Sequence, residues 1–146
     1  MYYFNEGSLA IPAQWQDKTV HILTTTSKEA DGFSFTISRD EIPWGMTFAE
    51  FFERETSSLS RQLTNYQQID QETGEIATLA TASSEFSWDS PEGTIHQYMT
   101  FVDSKPHVLI FTGTMVGMLS AQQKEKVKAI LQTLTLNPPQ ASIEEK

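Results

Sequence analysis

The sequence predicts an α+β fold in which an antiparallel β-sheet carries two helices. Short stretches of alternating polar and apolar residues dominate the chain and are separated by turn residues, which is typical of strands. Two longer segments, one near the middle and one near the C-terminus, have helical periodicity instead. Strands joined by short turns pair antiparallel, and two helices cover roughly one face of such a sheet. We therefore expect both helices on one face and the other face open.

The first two strands are predicted from the stretches "TVHILTTT" and "FSFTISR". The first stretch places Ile22 and Thr24 on one face. The second alternates Phe35 and Ile37 against serine and threonine. The intervening "SKEADG" has the composition of a loop, so the two strands form a plausible hairpin.

Each predicted helix begins with the spacing of a capping box, in which two side chains satisfy free backbone N–H groups of the first turn. Thr47 and Glu50 have this spacing in the first helix, and Ser120 and Gln123 have it in the second. An apolar stripe at helical spacing follows each box. The stripes are Phe48, Phe52, Leu59 and Leu63 in the first helix, and Val127, Ile130, Leu131 and Leu134 in the second.

Between the helices, a period of two returns after "QETGE", in "IATLATAS", "SEFSWD", "TIHQYMTFVD" and "HVLIFTGTM", with turns at "SPEG" and "DSKP". In "TIHQYMTFVD", Ile95, Met99 and Phe101 share a face with the amide Gln97. An amide both donates and accepts hydrogen bonds, so its place in an apolar row indicates a surface that binds something. The alternative is an edge amide bonded to water or to a neighbouring strand.

Length and composition predict a single domain over residues 1–137 and a flexible tail over residues 138–146. The formal net charge of −9 disfavours binding to nucleic acid and to anionic membranes. The absence of cysteine excludes disulfides and thiolate metal sites. The N-terminus lacks a secretory signal pattern, and no apolar run is long enough for insertion into a membrane, so we expect a cytoplasmic protein.

No catalytic motif is present in the sequence. His21, His96 and His107 lie on predicted strands without a partner at metal-ligand spacing, and no zinc-protease, serine-hydrolase or P-loop pattern occurs. We therefore expect a protein that is not an enzyme and that uses no metal and no cofactor. An enzyme of unrecognised type is the least favoured alternative.

The run "EGSLAIPAQWQDKTVHIL", followed by "FTISRDEIPWGMTFAEFF", resembles the DcrB-like family of small bacterial proteins. In particular it is similar to the Eag-type chaperones encoded beside type VI secretion effectors. A weaker similarity continues through "HQYMTFV" and "LIFTGT" into the last helix. The matching elements are Glu6-Gly7, Ile11-Pro12, Trp15, Asp17, Thr19-Val20, Ile37-Ser38-Arg39-Asp40 and Gly45.

The resemblance implies a homodimer whose open, concave sheet surfaces grip the N-terminal transmembrane helices of an effector of the Rhs/PAAR type. Such a chaperone shields these helices in the cytoplasm before the effector is loaded and exported. Family members hydrogen-bond their client helices through glutamine side chains, a role that Gln97 and Gln62 could take here. By position, the implied groove comprises Ile22, Thr24, Phe35, Ile37, Gln62, Ile95, Gln97 and Met99.

A second interpretation is a binder of a small apolar ligand, or a DcrB-like protein associated with the cell envelope. The missing signal sequence and the missing cysteine for lipidation argue against the envelope version. A purified protein that retains a small lipid would favour this interpretation over the chaperone.

Overall fold

The computed structural model describes residues 1–24 and 33–137. The predicted loop "SKEADG" and the predicted tail over residues 138–146 lie outside the described residues. The strands and helices are β1 (Tyr2–Phe4), β2 (Gly7–Leu9), β3 (His21–Thr24), β4 (Phe33–Glu41), α1 (Phe48–Gln62), β5 (Gln67–Ile76), β6 (Leu79–Ser90), β7 (Gly93–Asp103), β8 (His107–Val116) and α2 (Ala121–Leu131).

Six strands form one antiparallel sheet in the order β3-β4-β8-β7-β6-β5, and β1 pairs with β2 in a separate hairpin. Every neighbouring pair in the large sheet is antiparallel. The α+β class and the antiparallel sheet predicted from the sequence are thus confirmed. Within the described chain, β3 and β5 are the edge strands of this sheet.

The two helices pack on opposite faces of the sheet. α1 buries Phe51 and Phe52 against Phe101 of β7, with ring centroids 6.2 and 5.1 Å from that ring. α2 buries Val127 in a cluster that includes Val102 of β7. Because Phe101 and Val102 are consecutive on one strand, they point to opposite faces.

The prediction that both helices cover one face and leave the other wholly open is therefore wrong. Each helix supplies one buried stripe, whereas the central strands are apolar on both faces and need cover on both. In β7, for example, Ile95 and Phe101 on one face and Tyr98 and Val102 on the other are all at most 7% exposed.

Both predicted capping boxes are present. The Thr47 side chain accepts a hydrogen bond from the Glu50 N–H at 3.1 Å, and the Glu50 carboxylate accepts one from the Thr47 N–H at 2.9 Å. Ser120 and Gln123 make the equivalent pair of bonds at the start of α2. The capping boxes define the first residue of each helix. The position of that residue helps to determine which side chains of the helix face the sheet.

The hairpin formed by β5 and β6 was not predicted correctly. Its turn falls at Ala77 and Thr78, whose φ angles are 52° and 65°, inside the stretch "IATLATAS" that suggested one strand. The segment "QETGE", after which the period of two was expected to return, already lies within β5. β5 is an exposed edge strand with polar side chains on both faces, so it has no apolar alternation to detect.

A buried charged cluster anchors the start of α2 to the sheet. His96 Nδ1 accepts a hydrogen bond from the Leu119 N–H at 2.8 Å, so its Nε2 carries the proton that is donated to Glu85 at 2.8 Å. Lys124 of α2 donates to the other oxygen of Glu85. Burial alone would raise the pKa of Glu85, but the hydrogen bonds from Lys124 and His96 outweigh it and lower the pKa below its usual value.

Candidate binding surface

α1 covers only one end of the sheet face on which it lies. It packs on Ala82, Phe101 and Val108, at one end of β6, β7 and β8. Towards the other end of the strands, the same face carries two rows of side chains that cross β3, β4, β8 and β7. We call these two rows the open strip. The first row is Ile22, Thr36, Thr112 and Met99, and the second is Thr24, Ser34, Thr114 and Gln97.

The open strip has the width of a helix. Neighbouring strands lie about 4.8 Å apart, so four strands span about 14 Å. An α-helix with its side chains is about 10–12 Å across. Ile22, at the edge strand, is 67% exposed, Thr36 and Thr114 further in are half-buried, and Thr112 is buried. One helix can lie on this surface.

Hydroxyl groups dominate the open strip. Five of its eight side chains are threonine or serine, and Ile22 and Met99 supply the larger apolar surface. Among the described residues, the hydroxyls of Ser34, Thr36 and Thr112 make no hydrogen bond to another group. The open strip is thus less apolar than the groove expected from the sequence. Much of its surface is formed by threonine methyl groups and hydroxyls instead of aliphatic and aromatic side chains.

The amide of Gln97 is held in a fixed orientation at one end of the open strip. Its Oε1 accepts a hydrogen bond from Trp88 Nε1 at 2.9 Å, and its Nε2 donates one to Thr114 Oγ1 at 3.0 Å. An amide has two hydrogens and two lone pairs on its oxygen, so these bonds use one of each. The side chain is half-buried, and the second hydrogen and lone pair give it capacity for a further partner.

Most of the side chains implied for the groove lie on the α1 face. Ile22, Thr24, Gln97 and Met99 are in the open strip, and Ile95 is buried beside it in the next row of β7. Gln62 lies in the last turn of α1, exposed, with its amide donating to Ser58 Oγ at 2.9 Å. No described hydrogen bond joins Gln62 to the strip.

The inclusion of Phe35 and Ile37 in the groove is wrong. Ile22 is directly opposite Thr36 in the pairing of β3 with β4, so Phe35 and Ile37 point to the other face. There they pack against the α2 cluster, and the Phe35 ring stacks on Phe111 with centroids 6.1 Å apart. The side chain that joins Ile22 in the strip is Thr36, which the predicted alternation of β4 had set opposite Phe35 and Ile37.

Three further features bear on function. Among residues 1–24 and 33–137, no group of three or more histidine, aspartate or glutamate side chains could hold a metal ion. Of the helices in the same part of the chain, neither has both the length and the apolar character needed to cross a bilayer. His96 has both ring nitrogens engaged, one with Leu119 and one with Glu85.

Comparison with known proteins gives consistent matches over almost the whole chain. The family model described as DcrB matches residues 6–133. A protein of Pseudomonas aeruginosa named Effector EagT6 is 27% identical over 139 residues, which are 94% of this chain and 96% of that protein. The crystal structure of PA94, a protein of unknown function from Pseudomonas aeruginosa, has a TM-score of 0.75 at 26% identity, over 94% of this chain and 96% of that one.

Proposed function

The chain belongs to the DcrB family, and from this premise we propose that it is a chaperone for an effector of a type VI secretion system. The family match over residues 6–133 and the similarity to Effector EagT6 support the proposal. The resemblance of the N-terminal third to Eag-type chaperones points in the same direction. In this role the protein acts in the cytoplasm as a homodimer, and without catalysis, metal or cofactor.

The client segment is an apolar helix of the effector, of transmembrane type. Such a helix exposes about twenty apolar residues to water, and burying them recovers about 25 cal/mol per Å². The open strip carries the proposal, because it is as wide as one helix and lies on the part of the face that α1 leaves uncovered, with Ile22 as an exposed apolar contact and Met99 half-buried at the border of the α1 cluster.

The hydroxyls of the open strip suit a transmembrane helix better than an ordinary amphipathic one. Helices of this type associate through small residues, which let another backbone approach closely. The half-buried side chains of Ser34 and Thr36 are short enough for that approach. Their hydroxyls can donate to the second lone pair of helix carbonyl groups, which are already paired once within the helix.

Gln97 adds orientation to this contact. Trp88 and Thr114 hold its amide in place, so little rotamer freedom is lost when a client helix binds. Its second N–H can reach a client carbonyl at the end of the strip. The amide therefore favours helices with a small residue at that point.

Co-expression tests the proposed function. The effector encoded beside this chain is produced with and without it, and the soluble amount of effector is measured. We expect soluble effector to fall at least several-fold without the chain. An effector truncated to remove its N-terminal apolar helices is the matched control, and its solubility should not depend on the chain. Equal solubility of the full effector in both cultures would overturn the proposal.

A further inference from the structure

A polar cavity lies between α2 and the sheet, on the face opposite to the open strip. Its walls come from β5, β6 and β7 and from the last turn of α2. The volume is about 180 Å³, which is the space of about six water molecules at about 30 Å³ each. The cavity is therefore large enough for a small organic molecule.

Buried hydroxyl groups surround the cavity. They belong to Thr81, Ser83, Tyr98 and Thr100, each at most 7% exposed. Ser83 and Thr100 share a hydrogen bond of 2.9 Å. The hydroxyls of Tyr98 and Thr81 make no hydrogen bond to any other described residue.

The two unpaired hydroxyls open into the cavity. In the described part of the chain, no polar side-chain atom is both sealed from solvent and without a partner. The oxygens of Tyr98 and Thr81 therefore reach the cavity space that both residues line. A hydroxyl that is buried and unpaired costs free energy, so two of them at one cavity indicate a polar molecule bound between them.

The other buried walls of the cavity are apolar. Ile76 of β5 and Leu131 of α2 line it, and each is 5% exposed. The cavity thus has hydroxyls on β6 and β7 and hydrocarbon at its remaining buried walls. Water alone matches only the hydroxyls, whereas a molecule with hydroxyls on a hydrocarbon skeleton matches both kinds of wall.

The charges at the cavity lie at its mouth and are already paired. Lys128 Nζ is 3.3 Å from Glu72 Oε2, and both side chains are partly exposed. Burial alone would lower the pKa of Lys128, but the hydrogen bond to Glu72 outweighs it and raises the pKa above its usual value. The pair therefore stays ionised at neutral pH. None of the buried side chains that line the cavity is charged, which favours an uncharged ligand.

Gly74 keeps the cavity open. It lies in β5 directly opposite Thr81, and a Cβ atom at this position would be 3.6 Å from Thr81 Oγ1, an ordinary van der Waals distance. Its φ angle is not in the left-handed region, so the backbone does not require glycine here. Glycine within a strand often marks a place that a ligand approaches closely.

We propose that this cavity binds a small neutral polyol, such as glycerol or erythritol. Its hydroxyls pair with those of Tyr98 and Thr81, and its C–H groups pack on Ile76 and Leu131. The bound polyol then bridges α2 and the sheet, and so stabilises the packing of the helix. This site lies on the other face of the sheet from the open strip and does not depend on the proposed chaperone role.

Titration with glycerol and erythritol, followed by NMR of the backbone amides, tests the site. Polyols also stabilise proteins without binding to them, because they are excluded from the surface, so the test needs a variant with the cavity filled. Gly74→Val fills it, keeps every polar group, and suits a strand. We expect saturable shifts at residues around the cavity in the wild type and none in Gly74→Val. Non-saturating shifts that are equal in both proteins would mean that the cavity holds water only, and would overturn the proposal.

Tyr98→Phe tests the same site without changing its volume. The hydroxyl that it removes has no partner in the described chain, so the fold is retained, as circular dichroism would check. The apparent Kd for erythritol should rise about fivefold, the effect of one neutral hydrogen bond. Tyr66→Phe makes the same change beside Phe86 on the α1 face and should leave the Kd unchanged. Equal affinities of the two variants would overturn the assignment of the polyol to this cavity, whether or not Gly74→Val folds.

Discussion

Gln97 is the side chain of the open strip whose orientation is most completely fixed by its contacts. Trp88 and Thr114 hold its amide, so these two bonds set the direction of the remaining N–H before any partner binds. The sequence singled out Gln97 because a polar side chain stood in an apolar row. It did not indicate Trp88, whose indole N–H supplies the bond that orients the amide.

Gln97→Ala should weaken binding of the effector's apolar segment about fivefold. The loss corresponds to about one hydrogen bond, roughly 1 kcal/mol, with Trp88 left without its acceptor. Titration of the segment, solubilised in mild detergent, measures the change in apparent Kd. Gln68→Ala, an exposed amide on the same face at the β5 edge, is the control and should leave the Kd unchanged. Equal affinities of the two variants would contradict a role for Gln97.

Glu85→Gln should destabilise the protein at neutral pH by about 2 kcal/mol, since charged hydrogen bonds to Lys124 and His96 are weakened. The pKa of Glu85 is lowered in the folded state, so its contribution is present above the usual value of 4.5 and is lost as pH falls through the folded pKa. The difference in the free energy of unfolding between wild type and Glu85→Gln should therefore become smaller below about pH 4.5. Urea unfolding of both proteins at pH 7 and pH 3.5 measures this difference in the free energy of unfolding. If the difference is the same at both pH values, the ionised Glu85 cluster is not the cause of the destabilisation.

At the scale of elements, the helices decide which part of the sheet remains accessible. Phe51 is fully buried and lies edge-on to Phe101, so it holds α1 over one end of the face. α2 is held on the other face by Val127 and by the Glu85 cluster. The open strip exists because α1 stops short of β3 and of the far end of β7 and β8.

Phe51→Ala should reduce the free energy of unfolding by about 3–5 kcal/mol, because a buried aromatic ring is removed and leaves a cavity. Glu53→Ala, on the exposed side of the same helix, should change it by less than about 0.5 kcal/mol. Urea denaturation of both variants provides the measurement. A small effect of Phe51→Ala would mean that α1 contributes little to the packing of this face.

The sequence predicted those elements whose signals are local. Both capping boxes lie within four residues, and the alternation of Ile22, Thr24, Gln97 and Met99 within their own strands was read correctly. The face shared by two strands depends on register, and a shift of one residue exchanges the faces. Phe35 and Ile37 were expected on the same face as Ile22 because the register between β3 and β4 cannot be derived from either strand alone. β5 was missed because its polar residues carry no alternation.

The whole molecule combines an uncovered strip on the α1 face, an apolar edge strand and an acidic exterior. The net charge of −9 repels nucleic acid and anionic membrane surfaces. The proposed function places the apolar segment of the effector on the open strip, while the charged surface faces the solvent.

The most direct test of the central claim places a carboxylate in the open strip. Thr36→Glu puts an unpaired charge where an apolar helix is proposed to lie, and Thr94→Glu makes the same change on the α2 face of β7. Burying such a charge against a client costs several kcal/mol. In a pull-down of the effector's apolar segment, Thr36→Glu should retain less than a tenth of the wild-type amount and Thr94→Glu an unchanged amount. Equal retention by both variants would contradict binding at the open strip.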